Sequence, residues 1–292
     1  MKIVGVMLAR NEDWVIGASA RVALEWVDTL FVLMHACTDR TWPILREIQN
    51  EYGRDRLIAQ GVGKTAHWEE MDLRQKTLVA ARELGATHVA IIDADEVPTT
   101  NIVTRLRGWV GSLAPRQLLD IPMIAPWRGL GEYRDDTSVW CTARITTAFG
   151  DDPSLCWRAA DDGYQFHARA PRGTMHGASD RVNPLADKSE GGIMHLQWVD
   201  WDRLLTKHVL YRAVERIRWP NRDTVEKVNW RYDLALDERK IKLSKIPDGW
   251  VTDLVRRNVF QGRTPWHRAE LDAMISKYPR EAFSGLDLKG LA

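Results

Sequence analysis

Residues 88–98 read HVAIIDADEVP, so Val89, Ala90, Ile91 and Ile92 run straight into three carboxylates, Asp93, Asp95 and Glu96, and Pro98 closes the stretch. Four apolar residues with a β-branched bias predict a buried strand. Charges that follow such a strand lie at its C-terminal end, the edge of an open α/β sheet where ligands bind. Three carboxylates within four residues repel one another, and the offset must come from a divalent metal or from basic side chains. The alternative use of the same residues is an acidic cap on a following helix, since TTNIVTRLRGWV comes next.

The elements around this cluster alternate. KIVGVML (2–8) predicts a strand, ARNED a polar loop, and a helical pattern runs on through Trp26. TLFVLM (29–34) predicts a second strand ending in the loop HACTDRT, followed by a helix over WPILREIQNEY and a short strand near RLIAQ (56–60). A helix over 69–85 carries Leu73, Leu78, Ala81 and Leu84, with Gly85 at a C-cap position. Strand–helix units with short links imply a mainly parallel, doubly wound sheet, which brings ARNED, HACTDRT and DADE to one edge.

Beyond Pro98 the pattern changes. QLLDIPMIAP (117–126) and SVWCTARITTAF (138–149) predict strands joined by a Gly-containing loop. Residues 150–190 predict long loops around a short strand at YQFHAR, and GGIMHLQWV (191–199) predicts another strand. From Asp200 the chain reads as helices: a long one to Trp219, then 222–236, 248–259 and 266–277. GVGKT (61–65) is not a phosphate-binding loop, because the glycine that motif requires falls at Ile58.

Bulk composition sets the outer bounds. The 292 residues, 45% hydrophobic and 28% charged, describe a globular chain of one large domain or a domain with an appendage. No apolar run approaches the ~20 residues of a membrane span. The first apolar run is too short for a signal peptide and is broken by Arg10. Cys37, Cys141 and Cys156 lack C-x-x-C spacing, which argues against a disulfide framework or zinc site and points to a reducing cytoplasm. Charge is uneven: residues 1–202 hold 22 Lys/Arg and 28 Asp/Glu, whereas residues 203–268 hold 16 and 8. That basic segment could meet an anionic partner or simply be a solvated helical surface. Tryptophan is abundant at 14 residues; most belong in the core, and Trp127, beside Arg128 and Gly129 in a loop, is the site candidate.

ARNE (9–12), TDRT (38–41), the helix with Arg74, Leu78, Ala81 and Gly85, and then IIDADE occur in that order. This series resembles the family-2-like glycosyltransferases of GT-A fold, over roughly residues 2–98 and more loosely to about 210. The resemblance implies an α/β, Rossmann-like, mainly parallel mixed sheet flanked by helices, with a helical C-terminal extension. It divides the chain into a catalytic region, 1–199, and a basic, Trp-rich helical region, 200–292. It also implies transfer of a sugar from a nucleoside diphosphate sugar to a hydroxyl acceptor, with Mn²⁺ or Mg²⁺ offsetting the diphosphate charge. In that scheme Asp95 binds the metal, and His195, in GGIMHLQWV, completes its shell. Asp93 and Ala94 lie near the ribose. Ala9, Arg10, Asn11, Glu12 and Asp39 hold base and ribose, Arg74 stands near the nucleotide, and Lys207 and Tyr211 reach towards the diphosphate.

The chain departs from the family at two points. His35 ends the second strand where relatives carry an acid, and FHAR (166–169) lacks the glutamate of a His-Glu pair. An inverting transfer needs a carboxylate base. Asp161 and Asp162 are preferred for that role over Asp135 and Asp136. Two other readings compete: a haloacid-dehalogenase-like phosphohydrolase using Asp93 and Asp95, and a non-catalytic GT-A-like protein that binds carbohydrate or nucleic acid. The acceptor stays open among a DNA base, protein and glycan, and an anionic acceptor would engage residues 203–268.

Overall fold

The structure is a computed structural model whose described residues are 1–63, 69–161, 163, 168–174, 177, 180–258 and 266–288. Four parallel strands open the fold: β1 (Ile3–Ala9), β2 (Thr29–His35), β3 (Leu57–Val62) and β4 (His88–Ile91), ordered β3-β2-β1-β4. Between them run α1 (Ile16–Ala23), α2 (Thr41–Tyr52) and α3 (Glu70–Glu83). β1, β2 and β4 alternate their side chains between two covered faces, whereas the edge strand β3 is partly exposed. Val4 and Val6, Phe31 and Leu33, and Val89 and Ile91 pack with Met71, Leu73, Leu78 and Ala81 of α3.

Beyond β4 the chain forms β5 (Glu96–Pro98) and α4 (Thr100–Gly111), then β6 (Leu118–Ile124), β7 (Glu132–Arg134), α5 (Val139–Thr142) and β8 (Arg144–Gly150). β9 (Arg181–Val182) and β10 (Ile193–His195) follow. The sheet continues β4-β8-β6-β10-β5, with β9 beside β6. The pairs β4·β8, β6·β8 and β10·β5 are antiparallel and the other five are parallel, so this is the mixed, mainly parallel α/β sheet expected.

The chain divides into two compact units. One contains Met1–Ile124, Thr142–His195 and Pro247–Arg263, and the other Ala125–Cys141, Leu196–Ile246 and Thr264–Ala292. The second is mainly helical. Its α6 (Trp201–Arg218), α7 (Val225–Leu236) and α9 (Trp266–Lys277) enclose Leu210, Ala213, Val228, Tyr232 and Leu271. The Asp200 carboxylate caps α6 by accepting from the Arg203 N–H at 3.2 Å. A two-stranded antiparallel ribbon of β7 and β11 (Leu243–Lys245) completes that unit. α8 (Asp253–Asn258) belongs to the first.

Three elements differ from expectation. The strand predicted over 138–149 begins only at Arg144; before it, Asp136 accepts from the Ser138 N–H at 2.8 Å and α5 forms. Such side-chain capping competes with strand pairing. The strand predicted over 191–199 is confined to β10, and Leu196–Trp198 turn into a 3₁₀ helix. The helix predicted over 248–259 is a 3₁₀ turn at Asp248–Trp250 followed by α8. Most of YQFHAR lies outside the described residues.

Candidate active site at the sheet edge

Because β1, β2 and β4 are parallel neighbours, the loops after them lie at one edge. The first two loops are tied to each other. Asn11, buried and in the left-handed region at φ 54°, accepts at Oδ1 from the N–H of Thr38 at 2.7 Å and of Asp39 at 3.3 Å. The Glu12 N–H donates to Thr41 Oγ1 at 2.9 Å, and the Asp13 N–H to Asp39 Oδ2 at 3.0 Å. Glu12 accepts from the Trp14 indole at 2.6 Å. Arg10 follows Ala9 directly at this edge, and His35 is buried at the end of β2.

The DADE turn finds its positive partners in arginines. Arg74, from α3, donates to Glu70 Oε1 at 2.9 Å and to Asp93 Oδ1 at 3.1 Å. Arg169 donates from Nη1 to Asp93 Oδ2 and to Glu96 Oε1, both at 2.7 Å, and from Nη2 to Glu96 Oε2 at 2.9 Å. Burial pushes the Asp93 carboxyl up, but the guanidinium groups of Arg169 and Arg74 outweigh it and hold the acid at about 2. Burial raises Glu96 above the usual carboxylate range despite Arg169. The cavity behind Glu96, about 10 Å³ and lined by Trp26, Ile91 and Ile193 among others, has room for about one water.

Asp95 points elsewhere. Its Oδ2 lies 3.4 Å from Nε2 of His195, and both side chains are partly reachable, at 11% and 18% exposed. Register explains the pairing, because β10 runs antiparallel to β5 with His195 opposite Glu96. The acidic cap suggested as the alternative use of DADE is not what forms. Glu96 begins a strand, and α4 starts after Thr99, whose Oγ1 accepts from the Gly192 N–H at 3.1 Å.

These residues suit a hard divalent cation of the kind that keeps waters and shares substrate phosphates. Among the described residues, Glu70, Asp93 and Glu96 are ion-paired to the guanidinium groups of Arg74 and Arg169, and Asp95 lies beside His195. Asp95 and His195 would supply the protein's ligands. Among the described residues no group of three or more His, Cys, Asp or Glu side chains is arranged to hold a metal ion, so a ligand of the site would have to complete the shell.

The remaining candidates are spread out. Asp161 is 98% exposed and 4.0 Å from Arg172; Asp162 and the Phe166–His167 pair lie outside the described residues. Asp136 is paired with buried Arg134 at 2.9 Å, and Asp135 accepts from Ser244 at 2.7 Å. Lys207 lies over the Tyr211 ring in the second unit. Trp127 is in that unit too, edge-on to Trp201 at 5.0 Å with Arg134 over its face. Arg169 is the participant that sequence reasoning missed; its only signal was the need for a basic offset to DADE.

No family model and no curated protein matches the chain. A crystal structure of S. aureus TarS 1–349 is 15% identical over 43% of this chain and 36% of its own, with a TM-score of 0.35. The same protein in complex with UDP gives 13% over 51% of this chain and 47% of its own, at 0.38. Mannose-1-phosphate geranyltransferase from Thermus thermophilus is 10% identical over 80% of this chain and 68% of its own, at 0.30. The matched stretch thus spans less than half of either TarS chain. Likeness this slight decides neither family nor activity.

Proposed function

We propose that the chain is a metal-dependent glycosyltransferase that moves a sugar from a nucleoside diphosphate sugar to a hydroxyl acceptor. The observation that carries this reading is Asp95 beside His195 at the ligand edge, with Asp93 and Glu96 already neutralised by arginine. Bound there, Mn²⁺ or Mg²⁺ would offset the charge that grows on the departing diphosphate. Asp93 and Ala94 would border the ribose, and the interlocked loops holding Ala9, Arg10, Asn11, Glu12 and Asp39 would receive base and ribose. Arg74, ion-paired to Asp93, would stand near the nucleotide. Asp161 or Asp162 would take the acceptor proton.

In this scheme residues 1–199 do the chemistry. Residues 200–292 form the basic, Trp-rich helical region, a partition different from the two compact units, and an anionic acceptor such as DNA would engage 203–268. The phosphohydrolase alternative needs Asp93 as a free nucleophile, yet both of its oxygens accept from guanidinium groups.

Calorimetric titration of UDP, GDP, CDP and TDP, with and without Mn²⁺, tests the donor site on wild type and Asp95→Ala. Binding of one nucleotide that requires Mn²⁺ and is lost in the variant is the expected result. No binding of any of the four would sink the reading.

A further inference from the structure

Arg169 uses its whole donor set. Besides its three bonds to Asp93 and Glu96, Nη2 donates to the Ile91 carbonyl at 3.2 Å and Nε to the Thr146 carbonyl at 3.1 Å. A guanidinium has five N–H donors, and all five are engaged. The side chain is 16% exposed, so little of this is done for solvent. Its backbone is fixed from the other side. The Ala168 carbonyl accepts from the Trp157 indole at 3.1 Å, and Arg172 and Cys156 exchange backbone bonds. Trp157 is itself buried edge-on against Phe149 of β8.

One side chain thus binds the end of β4, the first carboxylate of DADE, the start of β5 and the middle of β8. We propose that Arg169 is the positioning residue of the DADE turn, sorting its three acids so that Asp95 alone is presented beside His195. Without it, Asp93, Asp95 and Glu96 would compete for any cation that arrived. With it, Asp93 and Glu96 are held as partners of a fixed cation, and the turn is pinned at both ends around Ala94 and Asp95. Lysine could not substitute: it brings three donors on a point charge and no planar fork. The proposal rests on the donor-site reading only where nucleotide binding is concerned. The sorting of the acids stands or falls alone.

The test uses Arg169→Gln and Arg169→Lys, with Arg82→Lys as a control for lost packing. Arg82 is a comparable clamp, bonded to Asp151 and to the carbonyls of Asp152 and Leu155. Arg169→Gln is expected to take up one more Mn²⁺ than wild type with no nucleotide present, because Asp93 and Glu96 then lack their counter-charge. Arg169→Lys, which keeps the charge, is expected to take up none extra. Both should bind Mn²⁺ with a nucleoside diphosphate about ten-fold more weakly than wild type. Arg82→Lys should lose melting temperature with its nucleotide affinity unchanged.

Equal Mn²⁺ stoichiometry in wild type and Arg169→Gln overturns the proposal, as does an Arg82→Lys affinity loss that matches the Arg169 variants. Should Arg169→Gln fail to fold, unaltered nucleotide affinity in Arg169→Lys overturns it and the ten-fold loss supports it. A wild type that binds no nucleotide, alongside an Arg169→Gln that gains the extra Mn²⁺, would defeat the donor-site reading and leave the sorting role intact.

Discussion

Glu96 and Asp95 are one residue apart and should answer to substitution in opposite ways. Glu96 is buried with both oxygens on Arg169, so Glu96→Gln strips a charge from a desolvated pair. Arg169 keeps Asp93 as a partner, so weakening its bonds to position 96 costs about 1–3 kcal/mol rather than the larger penalty of an unpaired buried charge. Urea denaturation should report that loss. Asp95→Asn leaves the arginine bonds untouched and should cost less stability than Glu96→Gln while abolishing Mn²⁺-dependent nucleotide binding. The same contrast explains what was legible at this scale. DADE could be picked out because three acids after an apolar strand demand an explanation. Arg169 could not, because 73 residues separate it from Glu96 and no local pattern marks a guanidinium that reaches across a sheet. Strand order brings Asn11 and Asp39 to one edge, but the bonds from Asn11 to the backbone of the second loop belong to loop geometry that spacing does not reveal.

Among the elements, β10 is the one on which the candidate site depends. Gly192 leads into it, and a Cβ there would lie 2.4 Å from the Pro122 carbonyl oxygen. Gly192→Ala should therefore push β10 away from β6, costing about 1–3 kcal/mol and weakening Mn²⁺-dependent nucleotide binding by displacing His195. Thermal melts and titration on the same sample would check both halves. In α6, His208 is buried, its Nδ1 without a hydrogen-bond partner among the described residues. Burial, reinforced by Lys207 and Arg212, holds the imidazole neutral down to about 3. As pH drops below the unfolded value of about 6.5, the unfolded chain takes a proton that the folded one refuses. Stability should then fall by up to about 1.4 kcal/mol per pH unit until about pH 3. His208→Phe should flatten that slope between about pH 6 and 4, and an unchanged slope would assign the acid sensitivity elsewhere.

The strand–helix alternation of the first hundred residues was readable because periods of about 2 and 3.6 differ plainly. The three-residue strands β5, β7 and β11 were not, being too short to show any period and held by partners distant in sequence.

Taken whole, the molecule engages part of its basic segment in ion pairs within the fold. Of the 16 Lys/Arg between 203 and 268, Arg212, Arg222, Lys227, Arg231, Arg239, Lys242 and Arg268 are ion-paired to carboxylates of their own unit. Any binding to DNA through the other nine should accordingly show log K falling against log salt no more steeply than about −8, against about −14 if all 16 took part. Fluorescence anisotropy across a salt series would measure it, and a steeper slope would show that the paired residues also reach the phosphates.

The antiparallel pairing of β5 with β10 also sets a schedule for synthesis. About 100 residues separate Asp95 from His195, so at about 5–20 residues per second the ribosome takes roughly 5–20 s to deliver the second after the first. For about the first three quarters of that interval the nascent chain holds Arg74 but neither Arg169 nor His195, and its acidic turn emerges with half of its eventual counter-charge. The newborn sheet can assemble from β1 to β4 on its own schedule, whereas the machinery at its edge becomes complete only when translation has passed His195.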